Sequence, residues 1–194
     1  MQTAAHLHIA EAYYLVLDLE ATCTPKDKRI PRTQRETIEI GAVMLNAKSR
    51  CIEGAFQQFI RPILNPHLTP YCQTLTTIDQ ATIDQAPTFT EGLTALLHWA
   101  NSFGNHCLCA WGEYDRRQLQ RDCHRHHIKY PFGERYLDVK KTFATLQRTG
   151  EMGLLAALTK LNLGFEGQRH RAIDDAQNTA RLMVKLHENL VNMD

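Results

Sequence analysis

Asp18 and Glu20 stand two residues apart at the end of the apolar run Tyr13 to Leu19 (Y-Y-L-V-L-D-L). If strand pairing persists that far, both side chains leave one face, and two carboxylates side by side can share hard cations. Acids that end strands beside turns look the same, so the pair alone leaves both readings open. The C-terminal segment says more. Ala172, Asp175, Ala176, Thr179, Leu182, Met183, Leu186 and Leu190 form one stripe at helical spacing, while Asp174 aligns with Asn178, Arg181, Lys185 and Glu188 on a polar face. Asp175 is therefore expected to point inward and Asp174 outward. A buried carboxylate needs a cation, hydrogen bonds or a helix N-terminus as partner, whereas Asp174 reads as a helix-start acid. His170 lies five residues ahead of Asp175, where a loop can carry its imidazole over the same cleft, and its near-neutral pKa suits a general base. Asp115 opens the helix after the apolar stretch Cys107 to Trp111, and there too a helix-start acid is the plain alternative.

Positioning these groups requires a particular set of elements. The run from Tyr13 to Leu19 is apolar throughout, as in a central strand covered on both faces. Thr37 to Leu45 and Gly54 to Ile60 read as two further strands, the latter stopped by Arg61-Pro62. Between the first two lies Cys23 to Glu36, a polar loop carrying Lys26, Lys28, Arg29, Arg32 and Arg35. After Pro70 come short turns around Leu75 to Asp84 and a helix over Phe89 to Phe103. A buried strand over Cys107 to Trp111 leads into a polar helix from Tyr114 to about His127, with Leu119 and Cys123 inward, and Tyr136 to Val139 is a weaker fifth strand. Helices are expected over about Lys141 to Arg148, Gly153 to Leu161 and Arg171 to about Val191. A meander followed by alternating strands and helices implies an α/β fold: a mixed five-stranded sheet with helices on both faces.

Three motifs recur in a fixed order: Asp18-Leu19-Glu20-Ala21-Thr22, Trp111-Gly112-Glu113-Tyr114-Asp115, and His170-Arg171-Ala172-Ile173-Asp174-Asp175-Ala176. Together with Ile38-Glu39-Ile40-Gly41-Ala42-Val43 and Leu75-Thr76-Thr77-Ile78 before Ala86-Pro87, they resemble the DEDDh branch of the DnaQ-like exonuclease superfamily, whose fold is ribonuclease H-like. The resemblance spans roughly Tyr13 to Leu190. The E-A-T continuation, the long Pro-bearing loop before Glu36, Trp-Gly-x-x-Asp and Tyr130-Pro131-Phe132 are most similar to the Eri-type and KapD-like 3′-to-5′ exonucleases. One departure is Thr77, where that group commonly has glycine; it bears on the backbone there and not on the chemistry. The resemblance implies the order βββαβαβα and a single exonuclease domain over 1–194, with its core at about 13–191. Asp18, Glu20, Asp115 and Asp175 are implied to bind two divalent cations, Mg²⁺ with Mn²⁺ as substitute, which an all-oxygen ligand set also favours. His170 is implied to take the proton from the attacking water. Leu19, Ala21, Thr22 and His170 are carried over as substrate contacts, and Tyr71 and Tyr114 are candidates for stacking bases, with core positions as the alternative for both tyrosines.

The whole chain bounds the partners. Its 194 residues suit one core. Lys plus Arg number 22 against 21 Asp plus Glu, so any nucleic-acid site must be local and not a product of bulk charge. No apolar run reaches the ~20 residues needed to cross a bilayer, and Met1 to Glu11 lacks the order of a signal peptide. Six scattered cysteines without a C-x-x-C pair read as reduced structural thiols, which places the chain in the cytoplasm. Cys123-His124-Arg125-His126-His127 has zinc-ligand chemistry, but no second ligand pair has suitable spacing. The resemblance to the Eri-type exonucleases implies as partner the 3′ end of a single-stranded nucleic acid, RNA favoured over DNA. The alternatives are a DNA-directed proofreading or repair exonuclease and a non-catalytic binding module.

Overall fold

The first strand, β1, runs Tyr13–Ala21, past the apolar stretch that announces it, so Asp18 and Glu20 lie within paired strand. The computed structural model describes residues 11–25 and 30–191, the side chains of 188–191 excepted; Lys26, Lys28, Arg29 and the side chains of Glu188 and Leu190 lie outside the described residues. The other strands are β2 (Thr37–Asn46), β3 (Ile52–Phe59), β4 (His106–Ala110) and β5 (Tyr136–Asp138). The helices are α1 (Pro70–Thr76), α2 (Gln80–Gln85), α3 (Phe89–Asn101), α4 (Tyr114–Arg125), α5 (Val139–Leu146), α6 (Leu154–Lys160) and α7 (Ala172–Val191). The sheet order is β3-β2-β1-β4-β5. β1 pairs antiparallel with β2 and parallel with β4, which makes the sheet mixed.

Alternation along β1 divides the core. Leu15, Leu17 and Leu19 pack with Leu93 and Leu96 of α3 and Leu119 and Cys123 of α4. Tyr14 and Val16 face Leu182, Met183 and Leu186 of α7 together with Phe143 of α5 and Leu158 of α6. Fully burying each such side chain stabilises the fold by about 1.5–3 kcal/mol, so a strand with apolar residues on both faces is fixed in its register. The even-numbered face that begins with Tyr14 and Val16 continues into Asp18 and Glu20, and so delivers both carboxylates to the side of the sheet that carries α7.

The basic loop is closed at its base, since Thr22 N donates to Glu36 O (2.8 Å) and Glu36 N donates to Thr22 Oγ1 (3.0 Å). Within it Arg32–Gln34 forms a single 3₁₀ turn. The Glu36 carboxylate accepts from the N–H groups of Ile63, Leu64 and Asn65, which pins the segment after β3.

One expectation is corrected on α7. Asn178 does not lie on a solvated polar face: it is fully buried, accepts from Glu166 N (3.1 Å) and donates to Glu166 O (2.7 Å). Asp174 accepts from Gln168 N (2.8 Å). The loop between α6 and α7 folds back over that side of the helix, and its backbone groups satisfy the polar side chains, a contact that helical spacing does not reveal.

Candidate active site

Four segments converge at the C-terminal ends of β1 and β4. The pairing of β1 with β4 ends at Val16 and Cys109, and the Leu19 N–H beyond it is taken by the Asp115 carboxylate, Leu19 N to Asp115 Oδ1 being 3.1 Å. Asp115 can do this because Gly112, at φ 92, turns the chain from β4 into α4. Trp111 anchors the same turn by donating from Nε1 to Met152 O (3.2 Å), and the Tyr136 hydroxyl donates to Gly112 O. On the other side of β1, Asp18 pairs with Gly41 and Glu20 with Glu39 in β2. A Cβ at Gly41 would stand 2.1 Å from the carbonyl carbon of Ala172, so the start of α7 rests directly on the strand at this glycine. Asp175 follows one helical turn later.

The ligand atoms of Glu20, His170 and Asp175 lie within 4.8 Å of one another, all three half-buried. His170 adopts a left-handed backbone (φ 62), and its N–H donates to Asp175 Oδ2 (2.9 Å), which holds loop and helix together. Burial pushes the carboxyls up. Asp18 lies well above the usual carboxylate range because it is shielded from water and then because Asp115, Asp175, Glu20 and Glu39 repel its charge. Glu20 is raised in the same way, by burial and then by Asp175, Glu39 and Asp115. Asp115 is raised to about 7 by burial, with the Leu19 N–H acting in opposition. Asp175 is raised to about 6, again by burial against the His170 N–H and the Arg169 charge. His170 is lowered, by burial and by Arg169, so its imidazole is neutral near pH 7. Clustered carboxyls that resist ionisation are a site short of positive charge, and their oxygen-rich donor set fits hard divalent cations.

Leu19, Ala21 and Thr22 are buried, and the Thr22 hydroxyl is occupied by Glu36, so at these positions the backbone is what a substrate can meet. Tyr71 on α1 and Tyr114 on α4 are exposed and not core residues. Among the described residues the His124 to His127 stretch contributes to no metal-ligand cluster; His126 stacks on Phe89 instead.

Glu39 is a site-building residue that lies outside the three acid-bearing motifs. It is fully buried on β2 and accepts from Arg171 Nε (3.1 Å), Ala172 N (3.1 Å) and Gln57 Nε2 (2.6 Å). It thereby ties the N-terminus of α7 to the sheet beside Glu20. The signal was an acid between Ile38 and Ile40 in an otherwise apolar strand, which demands a partner.

The profile of the exonuclease family (RNase_T) matches residues 15–183. The chain is 30% identical to 3′-5′ exoribonuclease 1 of Homo sapiens over 92% of its own length and 54% of that protein's. It is also 30% identical to the 3′-5′ exonuclease Snipper of Drosophila melanogaster, over 90% and 69%. The chain thus spans about half the length of the human relative. Its fold superposes on the nuclease domain of 3′hExo, a DEDDh family member bound to rAMP, with a TM-score of 0.86 at 29% identity, covering 93% of this chain and 94% of that one. On sequence, site and fold together, the chain belongs to the exonuclease family whose DEDDh members include 3′hExo.

Proposed function

We propose that this chain is a 3′-to-5′ exonuclease that releases nucleoside monophosphates from the 3′ end of single-stranded nucleic acid, RNA favoured, with residues 13–191 as a single catalytic domain. The observation that carries this reading is the cluster of Glu20, His170 and Asp175 within 4.8 Å, with Asp115 held beside it on the Leu19 N–H. The RNA preference is supported by the relatives' names, which include 3′-5′ exoribonuclease 1, and by the rAMP bound to 3′hExo.

Exonucleases of this family depend on divalent metal ions, and here Asp18, Glu20, Asp115 and Asp175 would hold two, Mg²⁺ or in its place Mn²⁺. Bound there, they supply Lewis-acid charge to the scissile phosphate and ease deprotonation of water. The rest falls to the chain. Neutral His170 accepts the proton of the attacking water at a ring nitrogen, a new P–O bond forms, and the bond from phosphorus to the 3′-oxygen breaks. The backbone at Leu19, Ala21 and Thr22 lines the path of the terminal nucleotide beside Glu20. Tyr114 and Tyr71 offer faces on which bases stack, independently of base identity. Six free thiols support a reducing, cytoplasmic setting, and among the described residues no helix is long and apolar enough to cross a membrane.

The test is digestion of matched single-stranded RNA and DNA of one sequence, labelled at the 5′ end, in Mg²⁺ or Mn²⁺. RNA shortened stepwise faster than DNA supports the reading. Faster loss of DNA favours a proofreading or repair role, and intact substrates with folded protein favour a binding module.

A further inference from the structure

The charge on α4 is segregated. Its acids point inward, Asp115 being 4% and Asp122 1% exposed, while Arg117, Gln120, Arg121, His124 and Arg125 line a surface groove of about 600 Å³ whose other wall is Thr33. None of the six lining residues is acidic. Arg125 builds the wall: it pairs with Asp122 and donates to Thr33 O (3.0 Å), which clamps the 3₁₀ turn against the helix. The other cations are left over. The Arg117 side chain is 68% exposed and meets Glu113 only at 3.8 Å. Arg121 donates to the neutral Gln118 Oε1 (2.7 Å), and its Nε, like that of Arg35, is shielded from water without a hydrogen-bond partner. In a chain of net charge +1 this is a local concentration of positive charge.

The groove runs along the helix whose first turn carries an active-site acid. Asp115 lies in the first turn of α4, and exposed Tyr114 next to it is near enough to Arg35 and to the groove residue Arg121 for both guanidinium groups to act on its phenol. From Tyr114 to Arg125 the helix advances eleven residues, about 16 Å at 1.5 Å per residue, which is room for a few phosphates. Arginine forks match phosphate oxygens, and cations following an aromatic platform suit a single strand better than an acidic protein face.

We propose that the groove between α4 and the 32–35 turn is a phosphate track for the single strand upstream of the scissile bond, with Arg35, Arg117 and Arg121 gripping successive phosphates and His124 at its far end. The direction of the track rests on the exonuclease reading. It gives the enzyme an affinity that grows with the length of single strand behind the 3′ end.

Fluorescence anisotropy with 5′-labelled single-stranded RNA of two to ten nucleotides tests the track in an Asp175→Asn background, where turnover is slowed enough for binding to be read. Arg117→Gln with Arg121→Gln should weaken ten-nucleotide binding tenfold or more and abolish most of the gain over the dinucleotide. It should also lower the slope of log affinity against log salt by about 1.4, at ~0.7 per phosphate contact in single strands. The control Lys48→Gln with Arg50→Gln, which removes equal charge from the β2–β3 turn, should shift affinity less than twofold. If the double variant melts early because Arg121 supports Gln118, Arg117→Gln alone should lower the slope by about 0.7. An unchanged slope, an equal loss for two and ten nucleotides, or an equal loss in the control overturns the track. Length-dependent binding without digestion by the wild type would remove the exonuclease reading and leave the track; normal digestion with unchanged slopes would do the reverse.

Discussion

Asp115 carries two obligations that conflict until a cation arrives. Its carboxyl is raised to about 7 and that of Asp175 to about 6, each from an ordinary value of 3.8. The folded, metal-free protein therefore binds more protons than the unfolded chain between about pH 4 and 7, and linkage makes its stability fall as pH rises through that window. His170, held below 6.5, acts in the opposite sense, costing stability only as pH falls below that value. Asp115→Asn keeps an oxygen for the Leu19 N–H and removes the charge. Without metal its melting temperature should exceed that of wild type at pH 8 and converge with it near pH 4; a parallel offset at both pH values would contradict the charge argument. Thr77 is a second residue-scale case. It closes α1 at φ 58, a left-handed conformation that disfavours β-branched side chains, and this is the position where Eri-type sequences commonly have glycine. Thr77→Gly should stabilise by about 0.5–1 kcal/mol after the entropy of the freer unfolded chain is subtracted, measured by urea unfolding; a loss of stability would show that the hydroxyl bond to Thr76 O (2.6 Å) outweighs the strain.

At the scale of elements, the site depends on how closely α7 approaches β2. Gly41 permits the contact with Ala172, and Glu39 fastens it through Arg171 and the Ala172 N–H. Gly41→Ala would push the helix off the sheet, carrying Asp175 and His170 away from Asp18 and Glu20. The expected cost is about 1–3 kcal/mol from overpacking, with activity falling by at least about a hundredfold; near-normal turnover in Gly41→Ala would show that α7 is free to shift. This approach was hidden in the sequence. Strand and helix periodicity located β1, β2, α4 and α7 closely, because each has an apolar face whose spacing is set by its own backbone. The inward direction of Asp175 was legible for the same reason. Glu39, Asn178 and the cap of Asp174 on Gln168 N were not, because their partners lie in loops or in other elements, and no local pattern encodes which backbone group will face a polar side chain. The buried state of Leu19 likewise follows from packing against α3 and α4, and that of Thr22 from its bonds with Glu36 across the base of the loop.

At the scale of the whole molecule, two covered faces of one sheet support a site where like charges meet. Leu15, Leu17 and Leu19 on one face and Tyr14 and Val16 on the other hold β1 firm enough to carry Asp18 and Glu20 at its end. Cation binding should relieve their repulsion, so saturating Mn²⁺ should raise the melting temperature, adding about 2.7 kcal/mol at a hundred times the dissociation constant; no rise would count against the carboxylate site. The most direct test of the central claim is digestion of 5′-labelled single-stranded RNA by wild type and Asp175→Asn, with Mg²⁺, Mn²⁺ or EDTA. A ladder that shortens from the 3′ end only with metal, and at least about a hundredfold more slowly in Asp175→Asn, is the predicted result; equal ladders from both proteins, or digestion that persists in EDTA, would contradict it.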